Sequence, residues 1–351
     1  MRFLKASQPF VIFSQLIDVL LSFFVGIILL IEKIPCHVRS MVWASEERKG
    51  VCILKLRRTL LWVNGNQPDR LQEALRSEAD CIVLELEDLV PPTQKEEARK
   101  GAVNALKNVD FRGKERIVRI NHPDSEWGKE DMEAIFPLAP DAVRLPKCET
   151  TEYVLYIDRR LAETEREQGL PKNSIELILT LESPLGILNC YEMAVCTKRV
   201  TGIGLGAGDL TSAMGIDRSL DPDTVQLLYV KQKMVLAAKA AGVQVFDTTV
   251  IAPPGVSLDD FIEKDTRKDK EMGFTGRSVS MLPHVPVINR VYAPTREEYE
   301  LSCRLVEGYN AALAAGQIAD IFVEGHFLDV PVVEKARQVI SFYEKLANKI
   351  S

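Results

Sequence analysis

Two carboxylates, Glu182 and Asp209, stand just past apolar runs at 175–181 and 201–205. Two acids completed by water and substrate oxygens are how proteins hold Mg²⁺, which keeps several non-protein ligands. The other reading is a pair of acids at helix N-termini, since helical stretches follow both runs. Arg119 closes a third run, 116–120, and its planar guanidinium suits a carboxylate or carbonyl oxygen. It could equally form a structural ion pair with Glu85 or Glu87, which end the run 81–86 together with Asp88. Lys147, after Arg144-Leu145-Pro146, either faces the same rim or bridges these acids, and Asp247 follows the run 243–246. His122, after Arg119-Ile120-Asn121, reads as a rim surface residue, and Trp127 and Phe136 as packing. This collection suits a metal-assisted reaction on an oxygen-rich substrate.

The elements that position these groups repeat one unit: a short β-branched run, a turn, then a helical stretch. Eight runs occur, at 59–63, 81–86, 116–120, 142–145, 175–181, 201–205, 243–246 and 277–281. Helical patterns lie between them at 67–77, 93–107, 150–168, 184–196 and 222–241, with Pro68 and Pro184 as first-turn prolines and Thr93 and Ser183 as N-caps. Near-continuous apolar strands alternating with helices imply a parallel sheet covered on both faces. Eight units close into a (β/α)8 TIM barrel, expected over 57–290, with a C-terminal helical extension or lid over 291–351. A doubly wound sheet would need a glycine-rich first turn, which Val63-Asn64-Gly65-Asn66 does not supply. In a barrel the functional face lies at the strand C-termini. Runs two to seven each deliver an acid or a cation to that one rim. The extension, with an apolar stretch at 319–323 and a last helix from about 332, is too short for a core of its own and must pack on the barrel or on a neighbouring subunit.

Composition narrows the function. The 351 residues carry 44 Lys and Arg against 50 Asp and Glu, a net charge of −6 without a basic block, which argues against nucleic-acid binding. Seven scattered cysteines without a CxxC pair, and only four histidines, argue against a zinc site or disulfide framework and for a reducing, cytoplasmic compartment. The run Gly202-Ile203-Gly204-Leu205-Gly206-Ala207-Gly208 lacks the spacing of a dinucleotide loop; its glycines admit backbone to a metal-bound ligand or fit tight packing. Residues 1–50 contain a stretch, 10–31, apolar enough to span a bilayer. It reads as an uncleaved anchor, a signal peptide, or an upstream extension of a protein starting at Met41, and membrane attachment stays open.

Nine short motifs in order give the chain a family resemblance over about 57–345. They are Arg57-Arg58-Thr59, Val63-Asn64-Gly65-Asn66, Leu86-Glu87-Asp88, Arg119-Ile120-Asn121, Arg144-Leu145-Pro146-Lys147, Glu182-Ser183-Pro184-Leu185-Gly186 with Gly208-Asp209, the segment 273–278, the segment 291–295 and the tail 325–331. The chain resembles the citrate lyase β-subunits, within the citryl- and malyl-thioester lyases of the aldolase superfamily. The resemblance implies a barrel, Mg²⁺ on Glu182 and Asp209, a substrate arginine at Arg119 and oligomerisation. It also places Arg58, Asn64, Glu87, Lys147 and Glu182 at the substrate, with Asp329 or one of Glu87 and Asp88 relaying a proton. Asp329 would reach a neighbour's site. The implied substrate is a 3-hydroxyacyl thioester on an acyl carrier protein or CoA, with citrate lyase alpha and gamma subunits as partners. Citramalyl- or malyl-thioester cleavage or hydrolysis is the nearest alternative, and a non-catalytic carrier-binding scaffold the alternative of another kind. Departures from the family pattern fall at Asn64 for Pro, Glu85 for Asp, Met281-Leu282-Pro283-His284 for a polar corner, and His326-Phe327 in the tail.

Overall fold

A computed structural model describes residues 55–221, 223–251, 257–317 and 320–350; the expectations for residues 1–50 lie outside them. Eight parallel strands form a closed barrel in sequence order: β1 (Thr59–Asn64), β2 (Cys81–Glu85), β3 (Glu115–Arg119), β4 (Ala142–Leu145), β5 (Glu176–Leu181), β6 (Val200–Leu205), β7 (Gln244–Asp247) and β8 (Gly276–Val279). β8 pairs back onto β1 through Thr59 and Arg277, so no edge is left for another chain to pair with. The apolar runs end within two residues of these strands, because strands buried on both faces need apolar residues at nearly every position.

Alternation along each strand decides what enters the lumen. Leu60, Trp62, Cys81, Val83, Ile117, Ala142, Ile178 and Phe246 form one buried cluster. At the N-terminal end of the strands Arg57 closes the floor. Its Nε donates to Glu115 at 2.6 Å and its Nη1 to Thr201 at 2.9 Å and Gln244 at 3.2 Å, while Nη2 pairs with Glu176. Burial opposes the charge of Arg57, but the two carboxylates outweigh it and hold the group fully protonated.

The outer helices follow local signals, with three departures. Thr150 and Ser183 cap the helices Thr151–Gln168 and Pro184–Leu188 as side-chain acceptors. Thr93 instead falls in a 3-10 turn, and the helix after β2 starts at Lys95 and runs to Asn108. The expected helix 184–196 breaks at Asn189 into Pro184–Leu188 and Cys190–Val195, and the one expected from 222 begins at Leu228. Five described cysteines, 81, 148, 190, 196 and 303, are free. Among the described residues, no helix is long and apolar enough to cross a membrane.

The tail holds the helix Arg296–Ala314, a hairpin of β9 (Ile321–Val323) and β10 (His326–Leu328), and the helix Val330–Ile350. The hairpin turns at Glu324 and Gly325, both with positive φ. Leu305, Ile321, Leu328 and Val333 make a small separate cluster. Lys349 Nζ lies 2.7 Å from Asp80 Oδ1 at the start of β2, which fastens the last helix to the barrel.

Replacing Arg57 by Met leaves Glu115 and Glu176 buried beside Lys55 alone. Urea denaturation should show a loss of roughly 3–5 kcal/mol, the cost of stranding buried carboxylates; a loss below about 1 kcal/mol would show that the floor lock is dispensable.

Candidate active site

Glu85 and Arg119 are register partners at the ends of β2 and β3, and both point into the lumen. Arg119 grips Glu85 with two donors, Nε to Oε2 at 2.6 Å and Nη2 to Oε1 at 2.9 Å, and its Nη1 lies 3.2 Å from Glu87 Oε2. Arg119 is 7% exposed; burial opposes its charge, but Glu85 and then Glu87 keep it fully cationic. A planar fork held from behind by a carboxylate is oriented for a second planar anion in front. Glu85 Oε1 also accepts from the Glu87 backbone at 2.6 Å, so one acid sets both the arginine and the loop that follows.

That loop carries Glu87 and Asp88, and two residues clamp it. Lys95 donates from its buried ammonium to the carbonyls of Leu86 (2.9 Å) and Glu87 (2.8 Å) and to Asn121 Oδ1 (2.7 Å). Asn64 donates to the Leu89 carbonyl at 2.9 Å, which commits its side chain to the loop. No sequence signal singled out Lys95, since a lysine opening a helix ordinarily reads as a solvated residue.

Pro146 ends β4, and Lys147 then adopts φ 51°, a left-handed turn that costs a non-glycine residue of order 1 kcal/mol. The turn aims the residue at the rim twice. Its backbone N–H donates to Glu182 Oε1 at 2.6 Å, and its ammonium lies 3.2 Å from Glu87, 3.4 Å from Asp88 and 3.8 Å from Asp209. Lys147 therefore faces the rim and bridges its acids at once.

Glu182 is the first residue past β5 and is 6% exposed. Burial, with Glu87 and Asp209 as neighbouring negative charges, raises its carboxyl to about 7, although the Lys147 N–H and Arg119 pull the other way. Asp209, in the first turn of the helix Ala207–Ala213, is exposed and raised by burial and by Asp88. Asp88 is lowered: burial works against its charge, but hydrogen bonding with Glu87 and the Lys147 ammonium prevail. These acids fit a divalent cation, because Lys147 already brings an ammonium among three of them while Glu182 forms no ion pair among the described residues.

Glycines in β6 and just after it make this possible. A Cβ at Gly206 would stand 2.5 Å from Glu182 Oε2, one at Gly204 2.7 Å from Arg144 Nη2, and one at Gly202 2.5 Å from the Phe246 ring. The glycine run thus serves packing around the site.

Two residues expected at the rim lie elsewhere, and Asp329, expected to reach a neighbour's site, stands apart from the rim of its own chain. Arg58 precedes β1 and sits at the opposite end of the barrel, ion-paired to Asp80 at 2.8 Å; it cannot reach a substrate at the rim. Asp247 follows the inward-facing Phe246, so parity turns it outward, where Lys231 (2.9 Å) and Arg277 (3.2 Å) neutralise it. With Asp265 and Asp269 it forms a second acid cluster, but the same two cations fill that cluster. Asp329 is exposed, accepts from the Val332 N–H at 3.0 Å, and touches no rim residue among those described. Sequence reasoning passed over Arg144, which lies 4.7 Å over the Trp62 ring, with Arg119 4.6 Å over the same ring. An arginine inside a barrel strand carries no periodicity signal.

Residues 58–281 match the family described as HpcH/HpaI aldolase/citrate lyase. The citrate lyase subunit beta of Escherichia coli K12 is 34% identical over 301 residues, 86% of this chain and 97% of that protein. The human mitochondrial citramalyl-CoA lyase is 27% identical, over 84% of this chain and 87% of its own. Among solved structures, the CitE protein of Mycobacterium tuberculosis in complex with magnesium, acetoacetate and coenzyme A is similar in fold, with a TM-score of 0.64, 24% identity, and coverage of 82% of this chain and 98% of that one.

Glu182 keeps its proton to near pH 7 in the folded chain, against 4.5 for a free glutamate. The metal-free fold therefore loses stability as pH rises from 4.5 through about 7, and a divalent cation binding below about 7 must displace a proton. Calorimetric Mg²⁺ or Mn²⁺ affinity should rise about tenfold per pH unit up to about 7 and then level off, and Glu182→Gln should abolish that slope. A pH-independent affinity would remove Glu182 from the metal.

Proposed function

Since the chain belongs to the HpcH/HpaI aldolase/citrate lyase family, we propose that it is a Mg²⁺-dependent carbon–carbon lyase that cleaves a citryl thioester to oxaloacetate and an acetyl thioester. The observation that carries this reading is the meeting of Glu182, Asp209 and the Glu85-braced Arg119 at one end of a closed barrel. Cleavage needs a base for the 3-hydroxyl proton and stabilisation for the electrons that leave the breaking C–C bond. Bound Mg²⁺ on Glu182 and Asp209 would polarise the substrate oxygens.

The chain's own residues supply the rest. Arg119 holds the keto-acid half by its carboxylate and steadies the hydroxyl oxygen as its proton leaves, before the C–C electrons pass to the thioester enolate. Lys147 offsets the negative charge of Glu87 and Asp88 and orients Glu182 through its N–H. Asp88, held ionised, accepts the hydroxyl proton. Glu87 and Asn64 fix the loop on which Asp88 rides, with Asn64 bound to the Leu89 carbonyl.

Asp329 is proposed to act at the rim of a neighbouring copy, relaying the hydroxyl proton from Asp88 to the acetyl fragment. Its setting supports this: Phe322 and Phe327 beside it are 61% and 50% exposed, an apolar face suited to a second subunit. The acyl group would ride on a small carrier protein within a complex containing alpha and gamma subunits, as the name of the bacterial relative suggests, or on CoA. Free thiols at the five described cysteines suit a reducing cytoplasm. The human relative favours one second reading, cleavage of a citramalyl thioester at the same site.

Purified protein with Mg²⁺ should release oxaloacetate from citryl-CoA. Glu182→Gln should abolish the release and Arg119→Lys should lower kcat by roughly 10²–10³-fold. Folded protein inert on citryl-, citramalyl- and malyl-thioesters would defeat the reading. For the oligomer, light scattering should find Phe327→Asp in a smaller assembly than the wild type, with activity falling alongside; an unchanged mass would place the subunit contact elsewhere.

A further inference from the structure

Four arginines are almost completely buried: Arg57, Arg144, Arg199 and Arg277. Three are neutralised by acids, Arg57 by Glu115 and Glu176, Arg199 by Asp158 and Glu165, and Arg277 by Asp247, Asp265 and Asp269. Arg144 differs. Among the described residues its side chain bonds only to two hydroxyls, Nε to Thr180 Oγ1 at 3.0 Å and Nη1 to Ser278 Oγ at 3.2 Å, and Nη2 donates to none. Burial, and then the nearby charge of Arg119, press its pKa down to about 10, against the weaker pull of Glu182 and Glu85, neither of which it bonds. A cation taken out of water without an anion is costly, and a fold keeps one where a ligand brings the anion.

Its position says which anion. Arg119 and Arg144 are register partners on β3 and β4, both directed into the lumen over the Trp62 ring. Arg119 is braced by Glu85 and Glu87, whereas Arg144 keeps donors free; Gly204 leaves its Nη2 the room it occupies. Two guanidiniums side by side match two carboxylates on one small molecule. A citryl group bears a carboxylate on the hydroxyl-bearing carbon and another on a side arm. A citramalyl group has a methyl in place of that arm, and a malyl group a hydrogen.

Resting on the lyase reading, we propose that Arg144 is the specificity-determining residue that binds the side-arm carboxylate and so selects citryl over citramalyl and malyl thioesters. Arg119 takes the carboxylate that all three share. The corresponding keto-acid products differ in the same way: oxaloacetate has the second carboxylate and pyruvate does not.

The test is calorimetric binding of oxaloacetate and pyruvate to Mg²⁺-loaded protein. Wild-type protein should prefer oxaloacetate by on the order of 10- to 100-fold, and Arg144→Gln should erase that preference through weaker oxaloacetate binding, with the pyruvate affinity within about threefold. Ser278→Ala, which frees Nη1, should move oxaloacetate binding partway in the same direction, so a poorly folding Arg144→Gln still leaves a test. Equal affinities in the wild type overturn the proposal. So does an equal loss of both acids in Arg144→Gln, which would give Arg144 the shared carboxylate. Turnover separates the two readings: a selectivity that depends on Arg144 in a protein that cleaves no thioester defeats the lyase alone, and cleavage of citryl-CoA with selectivity indifferent to Arg144 defeats this inference alone.

Discussion

Charge held out of water must be matched, and the site lies where matching within the chain stops. Arg57, Arg199 and Arg277 each meet two or more acids, and Asp80 meets Arg58 and Lys349. Glu182 and Arg144 break this pattern in opposite senses: burial and neighbouring acids raise the first despite Arg119, and among the described residues the second hydrogen-bonds only to hydroxyls. Both stand beside glycines, Gly206 just past β6 and Gly204 within it. A fold that keeps an acid without an ion pair and a cation without a bonded acid so close together is prepared for a ligand of both signs, a divalent cation and a polycarboxylate.

The scaffold holds these groups rigidly rather than comfortably. Glu85 fixes Arg119 with two bonds and steers the Glu87 backbone with a third. Lys95 secures the same loop from outside. Lys147 accepts left-handed backbone so that its N–H and its ammonium point to one place. Such strain at a rim residue is stable only because the surrounding contacts leave no alternative.

The barrel was legible because a strand buried on both faces is apolar along nearly its whole length, and eight such runs alternate with helices. The rim position of Glu182, Asp209, Arg119 and Lys147 was legible because each lies at, or within four residues of, the C-terminal end of a strand. Arg58 was misread on motif alone: it precedes β1, and chain direction by itself assigns it to the far end. Asp247 needed parity, since Phe246 points inward and its successor must point outward. The helix expected over 222–241 forms only from Leu228. Arg144 stayed hidden because its meaning lies in what does not surround it, which emerges only in three dimensions.

The Arg57 lock reaches beyond stability at rest. Its partners come from segments near residues 115, 176, 201 and 244, so the lock cannot assemble from either half of the chain. Until β7 has docked, Glu115 and Glu176 share a guanidinium that is not yet fixed in place. The contact with Gln244 closes a separation of 187 residues, whereas the one with Glu115 closes 58. An N-terminal half-barrel would therefore keep Arg57 and Glu115 but lack Thr201 and Gln244, and the complete lock belongs to the closed ring alone.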